Sequence, residues 1–419
     1  MDESIELYKN TKKNKVTTAY NDNIKFFLCK ALLSFVFFRK KISIKKELGS
    51  SNKVILRHHD FVISTNQKYL INLVNSAFKG NADICLGEGY MYKNWTLKGD
   101  LVCFLYMCFQ IMEYSILSPL FKRLQKKIFQ KSQNNTPFSS RKNVSHHYDI
   151  GNILYKTFLD SEMNYSSGIF RDNVFDVTKN EDAQKYKNNL IVKLLDINSD
   201  NNILEIGCGW GSLSRMICKH VPATVTGISL SEEQINWCND KKDKLSCKNT
   251  KYVLEDYRDF CRESANLFDK VVSVEMFDHV GKKHHSDFFK AIYDSLTVNG
   301  VLVMQLLIRP KPSQTTQWID KYIFPGAYIS SFKEVEQAFS KAGFIVDNEG
   351  YIEYDGHHYA TTLQNWKTSF NKNFNEIKDQ GYSDAFKNMW NFYLASSEMV
   401  FRNAGFKTIH LRLKKKEVK

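Results

Sequence analysis

The sequence predicts an α/β protein built around a doubly wound sheet, and two observations support this. Between residues 181 and 304, apolar runs of strand length alternate with helical patterns, as expected of β-α units winding around a sheet. One of these runs, 202–206, passes directly into Gly207-Cys208-Gly209-Trp210-Gly211 and then into a helical pattern. Such a turn lets a nucleotide-like ligand lie against bare backbone. A tight turn without a ligand is the alternative interpretation.

The elements of this sheet follow one another in a regular order. Strands are expected at 202–206, 225–228, 252–254, 270–274 and 301–304. Helices are expected at 181–196, 213–220, 231–241 and 288–296. Ser231 with Gln234 fits a capping box at the start of the third of these helices. Nearer the N-terminus, short strands are expected at 54–56 and 61–63 and a helix at 69–78.

The 419 residues are enough for more than one domain, and composition shifts predict four parts. Residues 1–50 form an extension that could hold a membrane-associated amphipathic helix. Residues 51–121 form a small N-terminal domain, either α/β or mostly helical. Residues 122–143 are polar and basic, which is typical of a linker. Residues 144–413 form the catalytic domain with the doubly wound sheet and its helical insertions.

The net charge and the cysteines limit the kinds of binding partner and cellular compartment that we expect. The formal net charge is +14, which suits nucleic acid or an anionic membrane surface. No nucleic-acid-binding motif occurs, so we favour a membrane surface over nucleic acid. The nine cysteines are scattered, and no spacing fits a zinc site. We expect reduced thiols in an intracellular compartment and no bound metal, and the first residues do not have the pattern of a signal peptide.

Two apolar stretches were tested as membrane spans. Residues 24–38 are shorter than the roughly 20 residues that a span needs. Residues 101–120 are interrupted by Gln110 and Glu113, and a charge in the middle of a span is costly. Both stretches are predicted to be helices. Because Arg39-Lys40-Lys41 follows the first, that helix suits either an interfacial anchor or packing on the rest of the protein.

The strand ends indicate which nucleotide-like ligand would bind. A dinucleotide site would have Gly-x-Gly-x-x-Gly and an acidic residue after the next strand, whereas here that strand ends in Gly227-Ile228-Ser229. S-adenosylmethionine fits better, because it lies across the carboxyl ends of adjacent strands. Ser229, Gln234, Asp256 and Tyr257 lie at such ends. The alternative is a purely structural role, in which Ser231 and Gln234 only cap a helix.

Ordered motifs along residues 85–410 carry a resemblance to a known family. They are Leu86-Gly-Glu-Gly-Tyr-Met91 with Trp95, His147-Tyr-Asp-Ile-Gly-Asn152, Met163-Asn-Tyr-Ser166, Glu205-Ile-Gly-Cys-Gly-Trp-Gly211, Thr226-Gly-Ile-Ser-Leu-Ser231, Asp256-Tyr-Arg-Asp259, Ser273-Val-Glu-Met-Phe-Asp-His-Val-Gly281, Lys321-Tyr-Ile-Phe-Pro-Gly326 and Tyr359-Ala-Thr-Thr-Leu363 with Trp366. The chain thus resembles the cyclopropane-fatty-acyl-phospholipid synthases. These enzymes use S-adenosylmethionine to alkylate the double bond of an unsaturated acyl chain. The resemblance implies a class I methyltransferase fold, which is Rossmann-like.

The resemblance also implies which residues bind the cofactor. Tyr165 and Ser166 would close over it from the N-terminal side. The glycine turn, the segment after the second strand and the segment on the adenine side would hold the rest. These residues are Gly207, Gly209, Gly211, Ser229, Leu230, Gln234, Asp256 and Tyr257.

A second set of residues is implied for the chemistry. In the family, a bound bicarbonate is thought to remove the proton that allows ring closure. The positions around it correspond here to Ser167, Asp278, Gln305 and Tyr359. The commoner family residues at the first three are Cys, Glu and His, and Ser397 lies where many members carry a cysteine. Gln305 can donate an N–H to an anion but cannot act as an acid or base near neutral pH.

The resemblance implies an activity and a location. The expected reaction is methyl transfer to the double bond of a phospholipid acyl chain, giving a cyclopropane or methyl-branched chain. The enzyme would work in the cytoplasm, on an anionic membrane surface reached by basic clusters such as Lys122-Arg123, Lys126-Lys127 and Lys414-Lys415-Lys416, and a homodimer stays open. Two alternatives are N-methylation of a small amine, since plant alkaloid N-methyltransferases share a Glu-Met-Phe-x-His run, and a degenerate member that only binds lipid.

Overall fold

A computed structural model describes residues 43–46, 53–114, 151–244, 249–313 and 315–416. The described residues form two compact units, the first comprising 43–46, 53–114 and 384–392 and the second comprising the others. Several predicted features lie outside the described residues. They are the helix at 24–38, the linker 122–143 with its basic clusters, and the part of the His147 motif before residue 151.

The first unit contains an antiparallel sheet with helices. Its strands are β1 (Ser43–Lys46), β2 (Lys53–Arg57), β3 (Phe61–Asn66) and β4 (Trp95–Gly99), paired in that order. Helices α1 (Gln67–Lys79) and α2 (Ala82–Met91) connect β3 to β4, and α3 (Leu101–Tyr114) follows β4. The strands and helix expected at 54–56, 61–63 and 69–78 fall within β2, β3 and α1. The described part of this unit is therefore not mostly helical, and because all of its strand pairs are antiparallel it is α+β rather than α/β.

Close packing explains a glycine of the Leu86–Met91 motif. Gly89 lies in α2, and the Trp95 indole Nε1 donates to the carbonyl of Leu86 at 3.0 Å in the same helix. A Cβ at residue 89 would clash with the Tyr69 hydroxyl and lie 2.7 Å from Trp95 Cδ1. This segment therefore has a packing role within the first unit.

Replacing Gly89 with alanine should destabilise the first unit. The added Cβ has no room, and overpacking costs about 1–3 kcal/mol, whereas glycine to alanine in an unobstructed helix gains about 1 kcal/mol. We expect the urea concentration at the midpoint of unfolding of the first unit to fall. A raised midpoint would show that α2 does not pack against Tyr69 and Trp95 as described.

The second unit is built on a mixed sheet. Its described strands follow the order β11-β12-β9-β8-β5-β6-β7, and β10 pairs with β9. Strands β5 to β9 are parallel, β12 runs antiparallel to both of its neighbours, and the chain switches direction across the sheet between β5 and β8. The bounds are β5 (Asn202–Ile206), β6 (Thr224–Ser229), β7 (Thr250–Leu254), β8 (Phe268–Val274), β9 (Leu296–Arg309), β10 (Ser330–Ser331), β11 (Phe344–Tyr354) and β12 (Lys407–Lys415).

Helices cover both faces of this sheet, which confirms the predicted doubly wound architecture. Their bounds are α4 (Asn152–Lys156), α5 (Asn180–Leu195), α6 (Ser212–His220), α7 (Glu232–Lys244), α8 (Tyr257–Glu263), α9 (His285–Ser295), α10 (Gln317–Tyr322), α11 (Phe332–Ala342), α12 (His357–Asn373), α13 (Asn375–Lys378) and α14 (Asp384–Asn403), the last beginning in the first unit. On one face, Phe288 of α9 and Phe339 of α11 join the core. On the other, Ile191 of α5 and Ile217 of α6 pack against Ile203.

The helix expected at 101–120 is described only as α3, up to Tyr114. Among the described residues, no helix combines the length and the apolar character needed to cross a membrane.

Candidate active site

The glycine turn after β5 has the backbone conformation that favours glycine. Gly207, Gly209 and Gly211 have φ angles of 78°, 51° and 77°. The three glycines serve different purposes. A Cβ at Gly211 would lie 2.9 Å from both Cys238 Sγ and Tyr252 Oη, whereas a Cβ at Gly209 would meet nothing within 4 Å. Gly211 is therefore needed for packing, and Gly209 exposes its backbone to open space.

That open space is a cavity at the carboxyl ends of the central strands. It has a volume of about 1330 Å³, including its open mouth. The cavity lies beside the switch point between β5 and β8, where ligands bind in open α/β sheets. Among the predicted cofactor residues, those that line it are Tyr165, Ser166, Gly207, Gly209, Ser229, Leu230, Gln234, Asp256 and Tyr257, and Gly211 does not.

Ser229 and Gln234 form one wall of the cavity through a hydrogen bond. Ser229 Oγ donates to Gln234 Oε1 at 2.7 Å, and the Gln234 backbone N–H donates to Ser231 Oγ at 3.3 Å. Ser231 therefore caps α7 as expected. The Gln234 side chain accepts a hydrogen bond from Ser229 Oγ instead of from the Ser231 backbone N–H. The predicted capping box therefore contains the bond to the Ser231 side chain but not the reciprocal bond to the Gln234 side chain.

Asp256 and Tyr257 lie at the end of β7. Asp256 caps α8, with Arg258 N donating at 3.0 Å, and its two carboxylate oxygens accept from Arg258 Nε and Nη2 at 2.8 and 2.7 Å. The Tyr257 ring packs edge-on against Phe288, and burial raises the pKa of its hydroxyl. Asp256 is thus held by its own chain with its orientation fixed.

Tyr165 and Ser166 form the N-terminal side of the cavity. The Tyr165 hydroxyl lies 2.9 Å from the Tyr393 hydroxyl. Ser166 Oγ accepts from Lys187 Nζ at 2.9 Å. Lys187 is buried, and desolvation lowers its pKa to about 8 against the attraction of Glu275, Asp160 and Glu205.

Glu275 connects two of the residues expected to bind bicarbonate. The Ser167 backbone N–H donates to Glu275 Oε1 at 2.9 Å, and Gln305 Nε2 donates to the same oxygen at 2.6 Å. Burial raises the pKa of Glu275 to about 7, although these hydrogen bonds and Lys187 pull it down. Glu275 lines the cavity, whereas Ser167 and Gln305 do not.

A chain of hydrogen bonds fixes the orientation of the Gln305 amide. Its Nε2 also donates to the Ser167 carbonyl at 3.1 Å, so its two N–H groups are both used. Its Oε1 lies 2.8 Å from His410 Nε2, and His410 Nδ1 lies 3.0 Å from the Tyr354 hydroxyl. Desolvation lowers the pKa of His410 to about 3, so the ring is neutral. Therefore His410 donates to Gln305 and accepts from Tyr354.

The other predicted catalytic residues lie outside the cavity wall. Asp278 is buried, and its Oδ1 has no hydrogen-bond partner within the described parts of the chain. Desolvation and the nearby Glu275 hold the pKa of Asp278 well above its usual range. The buried Tyr359 ring packs edge-on against Trp366 and Phe401. Ser397 lies half-buried in α14.

A sequence profile decides the family of the chain. The profile described as mycolic acid cyclopropane synthetase matches residues 135–411. The chain belongs to this family. The mycolic acid cyclopropane synthetase family consists of S-adenosylmethionine-dependent methyltransferases, and the second unit has their class I methyltransferase fold.

Individual relatives agree with the family assignment. The cyclopropane-fatty-acyl-phospholipid synthase of Escherichia coli (strain K12) is 32% identical over 257 residues, which are 61% of this chain and 63% of that protein. The sphingolipid C9-methyltransferase 2 of Gibberella zeae is 31% identical over 64% of this chain and 52% of that protein. The solved cyclopropane synthase MmaA2 from Mycobacterium tuberculosis is 25% identical, with a TM-score of 0.60, over 66% of this chain and 98% of that one. The chain spans less than two thirds of the length of each of these two curated relatives.

The cavity of this family member is suited to S-adenosylmethionine. Gly209 leaves open space beside its backbone, where a ligand can approach closely. Glu205 lines the cavity and offers a carboxyl group to a cationic ligand. Burial raises the pKa of Glu205 to about 7, and Ser214 Oγ donates to its carboxylate.

Glu275 and Lys187 are site residues that are not among those predicted from the sequence. Glu275 directly follows Val274, the last residue of β8. Ser229 and Asp256 were predicted because they lie at the carboxyl ends of strands, and the same criterion would have identified Glu275. Lys187 had no such signal, because a lysine in the helix expected at 181–196 reads as solvent-exposed.

Proposed function

We propose that the chain transfers a methyl group from S-adenosylmethionine to a double bond in the acyl chain of a membrane phospholipid. The product would be a cyclopropane, or a methyl-branched chain that keeps a double bond. The observation that carries this proposal is the cavity at the glycine turn, which is lined both by the predicted cofactor residues and by the half-buried Glu275. The names of the relatives support a lipid substrate.

Some residues of the cavity would bind the cofactor, and others would position the acyl chain of the substrate. Gly209, Ser229, Gln234, Asp256 and Tyr257 would hold the cofactor, which supplies an electrophilic methyl group. An alkene is a weak nucleophile, so close and aligned placement is the main contribution a protein can make. Phe324 and Pro325 line the cavity as apolar groups and would help to exclude water from the acyl chain.

One basic cluster proposed to face a membrane surface is partly engaged elsewhere. Lys414 Nζ lies 3.1 Å from Asp347 Oδ1, and Lys415 Nζ donates to the Leu296 carbonyl at 2.6 Å. These contacts leave Lys416 as the exposed lysine of this cluster. Membrane docking as a peripheral protein, with or without a second copy of the chain, stays a prediction.

Lipid mass spectrometry tests the proposed function. The protein would be incubated with S-adenosylmethionine and vesicles of monounsaturated phosphatidylglycerol or phosphatidylethanolamine. We expect acyl chains to gain the mass of one CH₂ group and saturated control vesicles to stay unchanged. Parallel vesicles with an unsaturated sphingolipid separate the two lipid classes. A gain in the sphingolipid alone would contradict the phospholipid substrate, and no gain in either would contradict the function.

Asp278 is proposed to support turnover rather than cofactor binding, because it lies beside Glu275 but outside the cavity wall. Asp278→Ala should lower kcat by about 10²-fold or more and leave the Kd of S-adenosylmethionine near the wild-type value. Burial holds the pKa of Asp278 well above its usual range and its Oδ1 accepts no hydrogen bond from the described residues, so the neutral Asp278→Asn variant should retain much of the activity. An Asn variant as inactive as the Ala variant would contradict a neutral role, and an active Ala variant would remove Asp278 from the site.

Bicarbonate stays a prediction in this scheme. Ser167, Gln305, Asp278 and Tyr359 are the residues proposed to surround it, and Ser397 on α14 is the further residue that the resemblance implies. Two of the expected donors already bind Glu275. An experiment should therefore distinguish added bicarbonate from a carboxylate of the chain itself as the base.

A further inference from the structure

Glu275 uses the hydrogen-bond donors that an external anion would need. The Ser167 backbone N–H and the Gln305 amide both converge on Glu275 Oε1. The chain Tyr354–His410–Gln305 holds the amide in the orientation that points its N–H at this carboxylate. The site is therefore built to fix a carboxylate that already belongs to the protein.

One oxygen of Glu275 remains available for chemistry. Both of these hydrogen bonds end on Oε1, so Oε2 has no protein hydrogen-bond partner among the described residues. Glu275 lines the cavity that opens at Gly209 and contains Phe324 and Pro325. An oxygen in this position can accept a proton from a group bound in the cavity.

We propose that Glu275 is the catalytic base of the reaction and takes the place of bicarbonate in this chain. This inference rests on the proposed function, because it assigns a role within methyl transfer to a lipid double bond. It differs from the pattern implied by the resemblance, in which the base is a bound ion.

The proposed reaction forms one C–C bond to the methyl carbon and then removes one proton. The π electrons of the alkene form a C–C bond to the methyl carbon, the S–C bond breaks with its electrons on sulfur, and a carbocation remains on the neighbouring carbon. Glu275 then takes a proton from the transferred methyl group, and the C–H electrons close the ring. If the proton comes from an adjacent chain carbon instead, the electrons form a new double bond. In both cases the proton leaves Glu275 for solvent.

The conformation and environment of Glu275 are costly, which favours a functional role. Its φ angle is 50°, and a left-handed conformation costs a non-glycine residue about 1–2 kcal/mol. The residue is half-buried, and desolvation of its carboxyl group raises the pKa to about 7, close to neutral pH. Strained and buried ionisable groups cluster at functional sites. The charged or titratable groups that face Glu275 are Lys187, which favours its ionised form, and Asp278, whose own pKa is raised.

A structural alternative is that Glu275 serves only as a counter-charge for Lys187. Two variants separate these roles. Glu275→Gln keeps the shape and can still accept from Ser167 and Gln305, but it cannot take a proton. Glu275→Gly suits the positive φ angle and frees both donors for an anion from solution.

The experiment measures product formation in buffer purged of carbon dioxide, with bicarbonate or formate added back. Binding of S-adenosylmethionine by calorimetry and binding of ¹³C-labelled bicarbonate by NMR are measured on the same proteins. The exposed Glu376→Gln change serves as the surface control. We expect the wild type to be active without bicarbonate and Glu275→Gln to lose about 10²–10⁴-fold in kcat while still binding the cofactor. Glu275→Gly should bind bicarbonate and regain activity with added bicarbonate or formate.

The contradicting outcomes are distinct. A wild-type rate that rises in proportion to bicarbonate, or a Glu275→Gln variant close to the wild type, would overturn the inference and leave the proposed function intact. A Glu275→Gly variant that stays inactive and binds no anion would also overturn it, because the donors would then not form an anion site. A wild type that makes no lipid product under any condition would overturn the proposed function itself.

Discussion

Replacing Gly209 with leucine is expected to abolish S-adenosylmethionine binding in a protein that still folds. A side chain at this position would project into the cavity, because nothing lies within 4 Å of the Cβ position. It would fill the place where the ligand is proposed to meet bare backbone. We expect folding to survive because the added Cβ has no protein atom within 4 Å, and the positive φ of a leucine there costs only about 1–2 kcal/mol.

Isothermal calorimetry with S-adenosylmethionine measures this effect, and the chain offers a matched control. Gly381 also has a positive φ angle, 98°, and a Cβ there meets nothing within 4 Å, but it does not line the cavity. Gly381→Leu should lose stability through the same backbone strain and keep its affinity. Equal affinities for the two variants would mean that the ligand does not lie against the glycine turn.

Much of the fold could be predicted from local sequence patterns. The strand at 202–206, the glycine turn and the helix after it are consecutive in the chain, and their hydrophobic pattern is enough to place them. The ends of β6 and β7 were found in the same way, and Ser229 and Asp256 both line the cavity. The extent of β9 was underestimated, since the strand runs from Leu296 to Arg309 rather than over 301–304.

The network behind Glu275 could not be predicted in this way. Gln305 was selected through the family resemblance, but its partner His410 is 105 residues further along the chain, on β12. Pairing of β12 with β9 brings these residues opposite each other, and no local pattern reveals that register. The burial of Lys187 also arises only when α5 packs beside the segment that contains Asn164 and Ser166.

Lys187→Met is expected to destabilise the second unit strongly at pH 8. Lys187 is buried, donates to Ser166 Oγ and attracts the carboxyl groups of Glu275, Glu205 and Asp160. Removing one member of a buried set of charges leaves the others uncompensated, which costs about 3–5 kcal/mol. Methionine fills a similar volume, so the loss is chiefly electrostatic.

The pH dependence of this loss follows from the direction of the carboxyl pKa shifts. Burial raises the pKa of both Glu205 and Glu275 to about 7, and Arg215 contributes a further positive charge near Glu205. A carboxyl group with a raised folded-state pKa adds stability below its unfolded pKa and loses it as pH rises through the folded value. Without Lys187 these pKa values should rise further. The lowered pKa of Lys187 acts in the opposite direction, because its buried charged form costs stability well below pH 8. Lys187→Met should therefore be no less stable than the wild type at pH 5, where the two glutamates are protonated, and should become the less stable protein as the pH passes 7 and they ionise.

Urea unfolding at pH 5 and pH 8 tests this expectation. The matched control is Lys185→Met, an exposed lysine on the same helix, which should change the free energy of unfolding little at either pH. If Lys187→Met unfolds no more easily than Lys185→Met at pH 8, the buried carboxyl groups do not depend on this cation. If the loss is instead equal at both pH values, it comes from packing or hydrogen bonding. In either case the ionised form of Glu275 would not be stabilised by the positive charge of Lys187.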